Sequence, residues 1–291
     1  MSATTNPPVV VGVDGSEQSL AAVRWAAEYA AHHRSPLRLI HALGVPTDFG
    51  PGMAGPVSDV DSLRHAGRSL LATATEAAEA AAAPVAAIEV FSAVADAAPV
   101  PVLRDLAEDA RLVVVGTRGM STFGRMLLGS VSTALVRHAH GPVAVIPQAK
   151  TDSRQRPIVV GVDGSPCSTQ AVAIAFEEAA LRDASLIAVH TWSEFNRYDS
   201  RMQMHTEAEA LLAENLAGYA EKYPEVPVTR VVTEDRPARR LLQVAASAQL
   251  IVLGSHGRGG FPGMSLDSVA HAVLHGADCP LIVVRPRTGH R

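Results

Sequence analysis

The stretch GTRGMSTFGRMLLGS, residues 116 to 130, sets Gly116, Gly119 and Gly129 in one run and puts Ser130 directly after the last. Glycine lets backbone N–H groups approach a ligand with no Cβ between them. A serine opening a helix adds its hydroxyl to the free N–H groups and positive dipole end found there, which favour an anion. The spacing reads as a phosphate cradle. It is not a Walker loop, which needs a lysine after its last glycine. The chain's two lysines are Lys150, in a polar linker, and Lys222, late in a helical stretch. Phosphate charge has to meet backbone N–H groups, the hydroxyls of Ser130 and Ser132, arginine or a metal ion. No G-x-G-x-x-G fingerprint follows the first strand either. The turn there carries Asp14, whose carboxylate can accept hydrogen bonds from ribose hydroxyls. A plainer reading stays open, with Gly116 and Gly119 as turn glycines and Asp14 as a helix N-terminal residue.

The pattern returns as GSHGRGGFPGMSLDS, residues 254 to 268, with a difference. Gly254 and Gly257 keep their places, but Asp267 stands where the first copy has Gly129, and Ala270 replaces the hydroxyl of Ser132. A carboxylate beside a triphosphate adds repulsion of about 4 kcal/mol per charge pair at roughly 4 Å and an effective dielectric near 20, before screening. That exceeds one or two neutral hydrogen bonds. Arg258 or a metal ion can offset it. Gly161 and Asp163 remain, so a ribose-bearing ligand with fewer phosphates still fits. The second copy is expected to be the weaker phosphate site.

These residues sit in a unit written twice. VVVGVDGSEQS from Val9 returns as IVVGVDGSPCS from Ile158, LRLIHAL from Leu37 as LIAVHTW from Leu186, and LVVVGTRG as LIVLGSHG. Repeats this long are duplicated domains, here residues 1–150 and 151–291, joined near QAKTDSRQRP. In the first copy, continuous apolar runs at Val9–Val13, Leu37–Ala42, Ile88–Val94, Leu112–Val115 and Val143–Ile146 read as strands. Continuous rather than alternating runs suit strands covered on both faces. Helices are expected from about Ser16 to His33, Asp59 to Ala82, Val102 to Asp109 and Gly129 to His138. Strands alternating with helices imply a parallel sheet with helices on both faces, and ligands in such sheets bind beyond the carboxyl ends of the strands.

Composition bounds the function. With 47% hydrophobic and 19% charged residues the chain is globular. A net charge of −4 argues against a nucleic-acid or anionic-membrane binder. No apolar run is long enough to predict membrane insertion, and the start MSATTNPPVV shows no signal-peptide pattern. Cys167 and Cys279 do not form a disulfide framework, which suggests reduced thiols in a cytoplasmic protein.

The stretches VVVGVDGS, LRLIHAL, LVVVGTRG and LLGSVSTALVRHAHGPVAVIP resemble the ATP-binding branch of the universal stress protein family, across nearly the whole chain. The resemblance implies an α/β fold of two tandem Rossmann-like domains, each a five-stranded parallel sheet flanked by helices. It implies ATP with Mg²⁺ in the first copy, with adenine near Gly12, Val13 and Ala42 and ribose on Asp14. Phosphates are expected on Gly116, Gly119, Gly129, Ser130, Val131 and Ser132, with Val115 and Arg118 alongside. The matching second-copy residues are Gly161, Val162, Asp163, Thr191, Leu253, Gly254, Gly257, Arg258, Ser268 and Val269. Family members commonly dimerise through their fifth strands. PVAVIP and PLIVVR are thus expected to pair as an intrachain pseudo-dimer, within a chain that itself forms a homodimer.

The expected function is regulatory: nucleotide occupancy changes oligomeric state or the hold on an unnamed protein partner. A weak ATPase or a nucleotidyl or phosphoryl transferase is the alternative, although the motifs SGGxDS and HIGH of related adenylating enzymes are absent. A structural scaffold is the third. Asp267, His271, His275 and Cys279 recur at helical spacing, so a zinc site is conceivable. An amphipathic helix with polar side chains is the favoured reading. His41 and His190 end matching strands and are expected to be hydrogen-bonded structural histidines. Cys167, near a helix start, is expected to be inert rather than a reactive thiol.

Overall fold

The structure, a computed structural model, describes residues 6–44, 60–117, 129–147, 156–192, 200–257 and 266–285. They fall into two units, one ending at residue 147 and the other running from 156 to 285.

In the first unit β1 (Val9–Gly12), β2 (Leu37–Ala42), β3 (Val90–Ala95), β4 (Leu112–Gly116) and β5 (Val143–Ile146) alternate with α1 (Glu17–His33), α2 (Val60–Ala82), α3 (Pro99–Leu106) and α4 (Ser130–His138). The strands are all parallel, in the order β3-β2-β1-β4-β5. Val9, Val10, Val11, Val113 and Val114 are fully buried, as a sheet covered on both faces demands. β3 lies at the edge, and its Phe91 is exposed. The order reverses between β1 and β4, which pair Val9 with Leu112 and Val11 with Val114. In sheets of this kind ligands bind at such a reversal, beyond the carboxyl ends of the two strands.

The second unit repeats this plan. β6 (Ile158–Gly161), β7 (Leu186–Trp192), β8 (Val228–Glu234), β9 (Leu250–Gly254) and β10 (Leu281–Val284) alternate with α5 (Pro166–Leu181), α6 (Arg201–Leu216), α8 (Pro237–Ala245) and α9 (Ser268–Gly276). Its parallel order is β8-β7-β6-β9-β10. An added short helix, α7 (Tyr219–Lys222), follows α6. Gly218, at φ 80°, breaks the helix there, whereas α2 runs on without a glycine in its second half.

Local chemistry sets the helix ends. Ser16 and Ser165 cap α1 and α5, their Oγ atoms accepting from the N–H groups of Ser19 at 3.1 Å and Ser168 at 3.2 Å. α3 begins at Pro99, earlier than the apolar spacing from Val102 suggests, because proline suits a first turn that needs no donor. β3 starts at Val90, two residues inside the apolar run. On α5 the buried Glu178 accepts from Arg182 Nε at 2.8 Å, an ion pair with both side chains largely shielded.

Candidate functional site

Both loop–helix junctions lie at the strand-order reversal, and packing explains several of the described glycines around them. At the end of β1 a Cβ on Gly12 would stand 2.9 Å from Leu103 and 3.3 Å from Val115. On Gly116 it would stand 3.0 Å from the Gln18 backbone, and on Gly254 2.8 Å from Cys167 Cβ. Gly116 and Gly254 thus let the first turns of α1 and α5 close onto β4 and β9. Cys167 is buried in that contact. The turn between β1 and α1 passes through Gly15, at φ 87°, a conformation that favours glycine.

Asp14 sits in the same turn. Its Oδ1 accepts from the Ser16 N–H at 3.0 Å and from the Ser16 hydroxyl at 2.7 Å, which fixes the carboxylate at the helix start. His41, at the end of β2, donates from Nδ1 to the Val13 carbonyl at 2.7 Å, and His190 does the same to Val162 at 2.7 Å. Both are structural histidines that tie neighbouring strand ends together. Gly129 N–H donates to the Thr117 carbonyl at 2.7 Å, which anchors α4 to the end of β4.

The first-unit residues predicted from sequence therefore gather on one edge. Gly12, Val13 and Asp14 follow β1, Ala42 ends β2, Val115 and Gly116 end β4, and Ser130, Val131 and Ser132 form the first turn of α4. Gly129 is the N-cap of α4 and offers no side chain to its amides. Ser130 is exposed. Ser132 is buried, and its Oγ donates to the Gly129 carbonyl at 2.9 Å. Arg118 and Gly119 lie outside the described residues.

In the second unit the predicted residues line one cavity of about 1150 Å³. Gly161, Val162 and Asp163 come from β6 and its turn, Thr191 from β7, Leu253, Gly254 and Gly257 from β9 and its turn, and Ser268 and Val269 from α9. Arg258 lies outside the described residues. Sequence spacing missed the far wall, which α6 supplies through Met204, Glu207, Ala208 and Leu211, together with Trp192 from the last position of β7. The signal was the helical face of α6, whose buried Ala208 and Leu212 turn it toward the sheet.

The two units differ at the helix start. Asp267 is the N-cap of α9, and its Oδ1 accepts from the Val269 N–H and from the Ala270 N–H, the latter at 3.0 Å. Its other oxygen turns toward Gly257, where a Cβ would meet Asp267 Oδ2 at 2.9 Å and Asp163 Oδ2 at 2.6 Å. A side chain at position 257 would therefore displace one or both carboxylates. The glycine cap of α4 puts no carboxylate on its first-turn amides, whereas two amides of α9 already hold one. Among the described residues no three His, Cys, Asp or Glu side chains gather as a metal site. The His271 and His275 rings lie 4.6 Å apart between centroids, tilted by 42°, and Cys279 Sγ lies 3.9 Å from the Ala245 carbonyl.

A parallel sheet in the order 3-2-1-4-5, with its crevice at the reversal, defines a doubly wound α/β protein of the Rossmann-like kind, here in tandem. The family model described as "Universal stress protein family" matches residues 5–147 and again 155–285. A universal stress protein of Mycobacterium tuberculosis is 45% identical over 284 residues, covering 95% of this chain and 96% of the relative. A second one from that organism is 40% identical over 303 residues, covering 97% and 96%. A crystal structure of a universal stress protein from Archaeoglobus fulgidus shares the fold, with a TM-score of 0.69 at 20% identity over 97% of each chain. The chain belongs to the universal stress protein family. Among the described residues no helix is long and apolar enough to cross a membrane.

Proposed function

We propose that this protein is an ATP-binding stress-response regulator, of the family's ATP-binding branch, whose nucleotide occupancy alters partner binding or oligomeric state. One observation carries the reading: the first turn of α4 has a glycine N-cap, which places no side-chain hydrogen bond on its amides, beside the exposed Ser130. That turn follows β4, the neighbour of the strand that leads to Asp14. Free first-turn amides and the helix dipole suit phosphate, and a fixed carboxylate across the crevice suits ribose hydroxyls. In this reading adenine rests against Gly12, Val13 and Ala42, and Mg²⁺ accompanies the phosphates. Arg118 and Gly119 complete the cradle. The same reading makes the protein cytoplasmic, pairs β5 with β10 as an intrachain pseudo-dimer, and lets the whole chain dimerise.

Mass spectrometry of small molecules released from freshly purified, denatured protein tests the reading directly. Adenine nucleotide is the expected finding. Its absence, together with no heat on titrating ATP into the protein, would overturn it. Incubation with ATP and analysis of the products then separates a binder from a hydrolase.

A further inference from the structure

The cavity of the second unit has a carboxylate where a phosphate would bind. Asp267 Oδ1 takes the N–H groups of Val269 and Ala270, the amides that an anion needs at a helix start. Its Oδ2 converges with Asp163 Oδ2 on Gly257. Glu207 adds a third carboxylate to the lining, and the described lining residues include neither lysine nor arginine. A phosphate entering among the described lining residues meets three carboxylates and finds the Val269 and Ala270 amides taken.

The remaining wall suits a flat, neutral ring. Val162, Leu241 and Leu253 give apolar surface, and Trp192 adds an indole. The buried Trp192 Nε1 has no hydrogen-bond partner among the described residues. The first copy has Leu43 at the position of Trp192 and Gly129 at that of Asp267. So the second copy adds a ring at the end of β7 and a carboxylate at the start of α9. Hydroxyl donors satisfy carboxylates without bringing like charge, whereas phosphates cannot.

We propose that the second unit takes a neutral purine nucleoside and rejects its phosphorylated forms. The Asp163 carboxylate accepts from the sugar hydroxyls, and Asp267 stands in for the phosphate that the first unit holds. This inference rests on the nucleotide reading given above. It makes the two halves of one chain report different chemical species, the phosphorylated and the unphosphorylated compound.

The chain has two tryptophans, Trp25 and Trp192, so Trp25→Phe leaves Trp192 as the sole reporter of the second cavity. This full-length variant is titrated with adenosine, AMP and ATP, each with and without Mg²⁺, while Trp192 emission is followed. Equilibrium dialysis counts the total ligand bound. Adenosine is expected to saturate the emission change, with AMP at least tenfold weaker and ATP weaker still. Asp267→Gly should narrow that gap at least tenfold. Asp267→Asn, which keeps the capping oxygen and removes the charge, should narrow it less, and it serves as the test if the glycine variant fails to fold. ATP acting on Trp192 at the same concentration as adenosine overturns the proposal, and so does a gap that neither substitution changes. If adenosine leaves Trp192 emission unmoved while dialysis still finds ATP bound, the nucleoside proposal fails and the nucleotide reading stands. If dialysis finds no adenine compound bound, both fail.

Discussion

At the residue scale, glycines of the same motif have different duties. Gly254 and Gly116 are held by the close approach of a helix backbone, a role that needs no ligand. Gly254→Ala pushes a methyl to 2.8 Å from Cys167 Cβ. We expect a loss of about 1–3 kcal/mol in urea unfolding, as for other overpacked sites, with or without nucleotide. Asp14 should behave in the opposite way. Its carboxylate is turned by Ser16 at the crevice edge, so Asp14→Ala should weaken ATP at least tenfold, about 1.4 kcal/mol, in titration calorimetry. Wild-type affinity in that variant would remove Asp14 from the site.

At the element scale, the two units differ at their helix starts. α9 carries its own anion in Asp267, and α4 carries none. Asp267→Ala should lower stability by about 1 kcal/mol, whereas Asp267→Asn should change it little, because asparagine caps as well as aspartate. Unfolding curves of the two variants check this, and equal losses would mean that the cap is not what the carboxylate contributes. α5 depends on a shielded ion pair. Removing Glu178 leaves Arg182 charged in a largely buried place, so Glu178→Ala should cost about 3–5 kcal/mol. α2 is tied to the end of β3 by Arg64, which donates to Asp96 at 2.7 Å and to Asp61 at 3.1 Å. The Arg64 hydrogen bonds hold the Asp96 carboxyl below its ordinary value. The stability from this tie is therefore complete above the ordinary carboxylate value and is lost as pH falls through the depressed one. Asp96→Asn should matter at neutral pH and cease to matter in strong acid.

At the scale of the whole molecule, ligand binding and folding are linked. A ligand at 100 times its Kd adds about 2.7 kcal/mol, enough to raise Tm by roughly 5 °C or more in a chain of this size. ATP should give such a shift in a thermal melt, and Asp14→Ala should abolish most of it. Much of this was legible in the sequence. Two copies of an alternating pattern of strands and helices required a doubly wound parallel sheet, because apolar runs of strand length must be covered on both faces. The turns after the first and fourth strands were then the expected ligand edge, since that is where the chain order reverses. Sequence also showed that Asp267 departs from Gly129, and that a carboxylate there opposes phosphate. It could not show where that carboxylate goes, because a side chain's direction follows from the partners that folding brings within reach. Only the tertiary structure put Asp267 on the amides of α9 and its second oxygen beside Asp163. Only the tertiary structure brought Trp192 and Glu207 to the same cavity, since no local pattern links a strand end to a helix face whose meeting is set by packing.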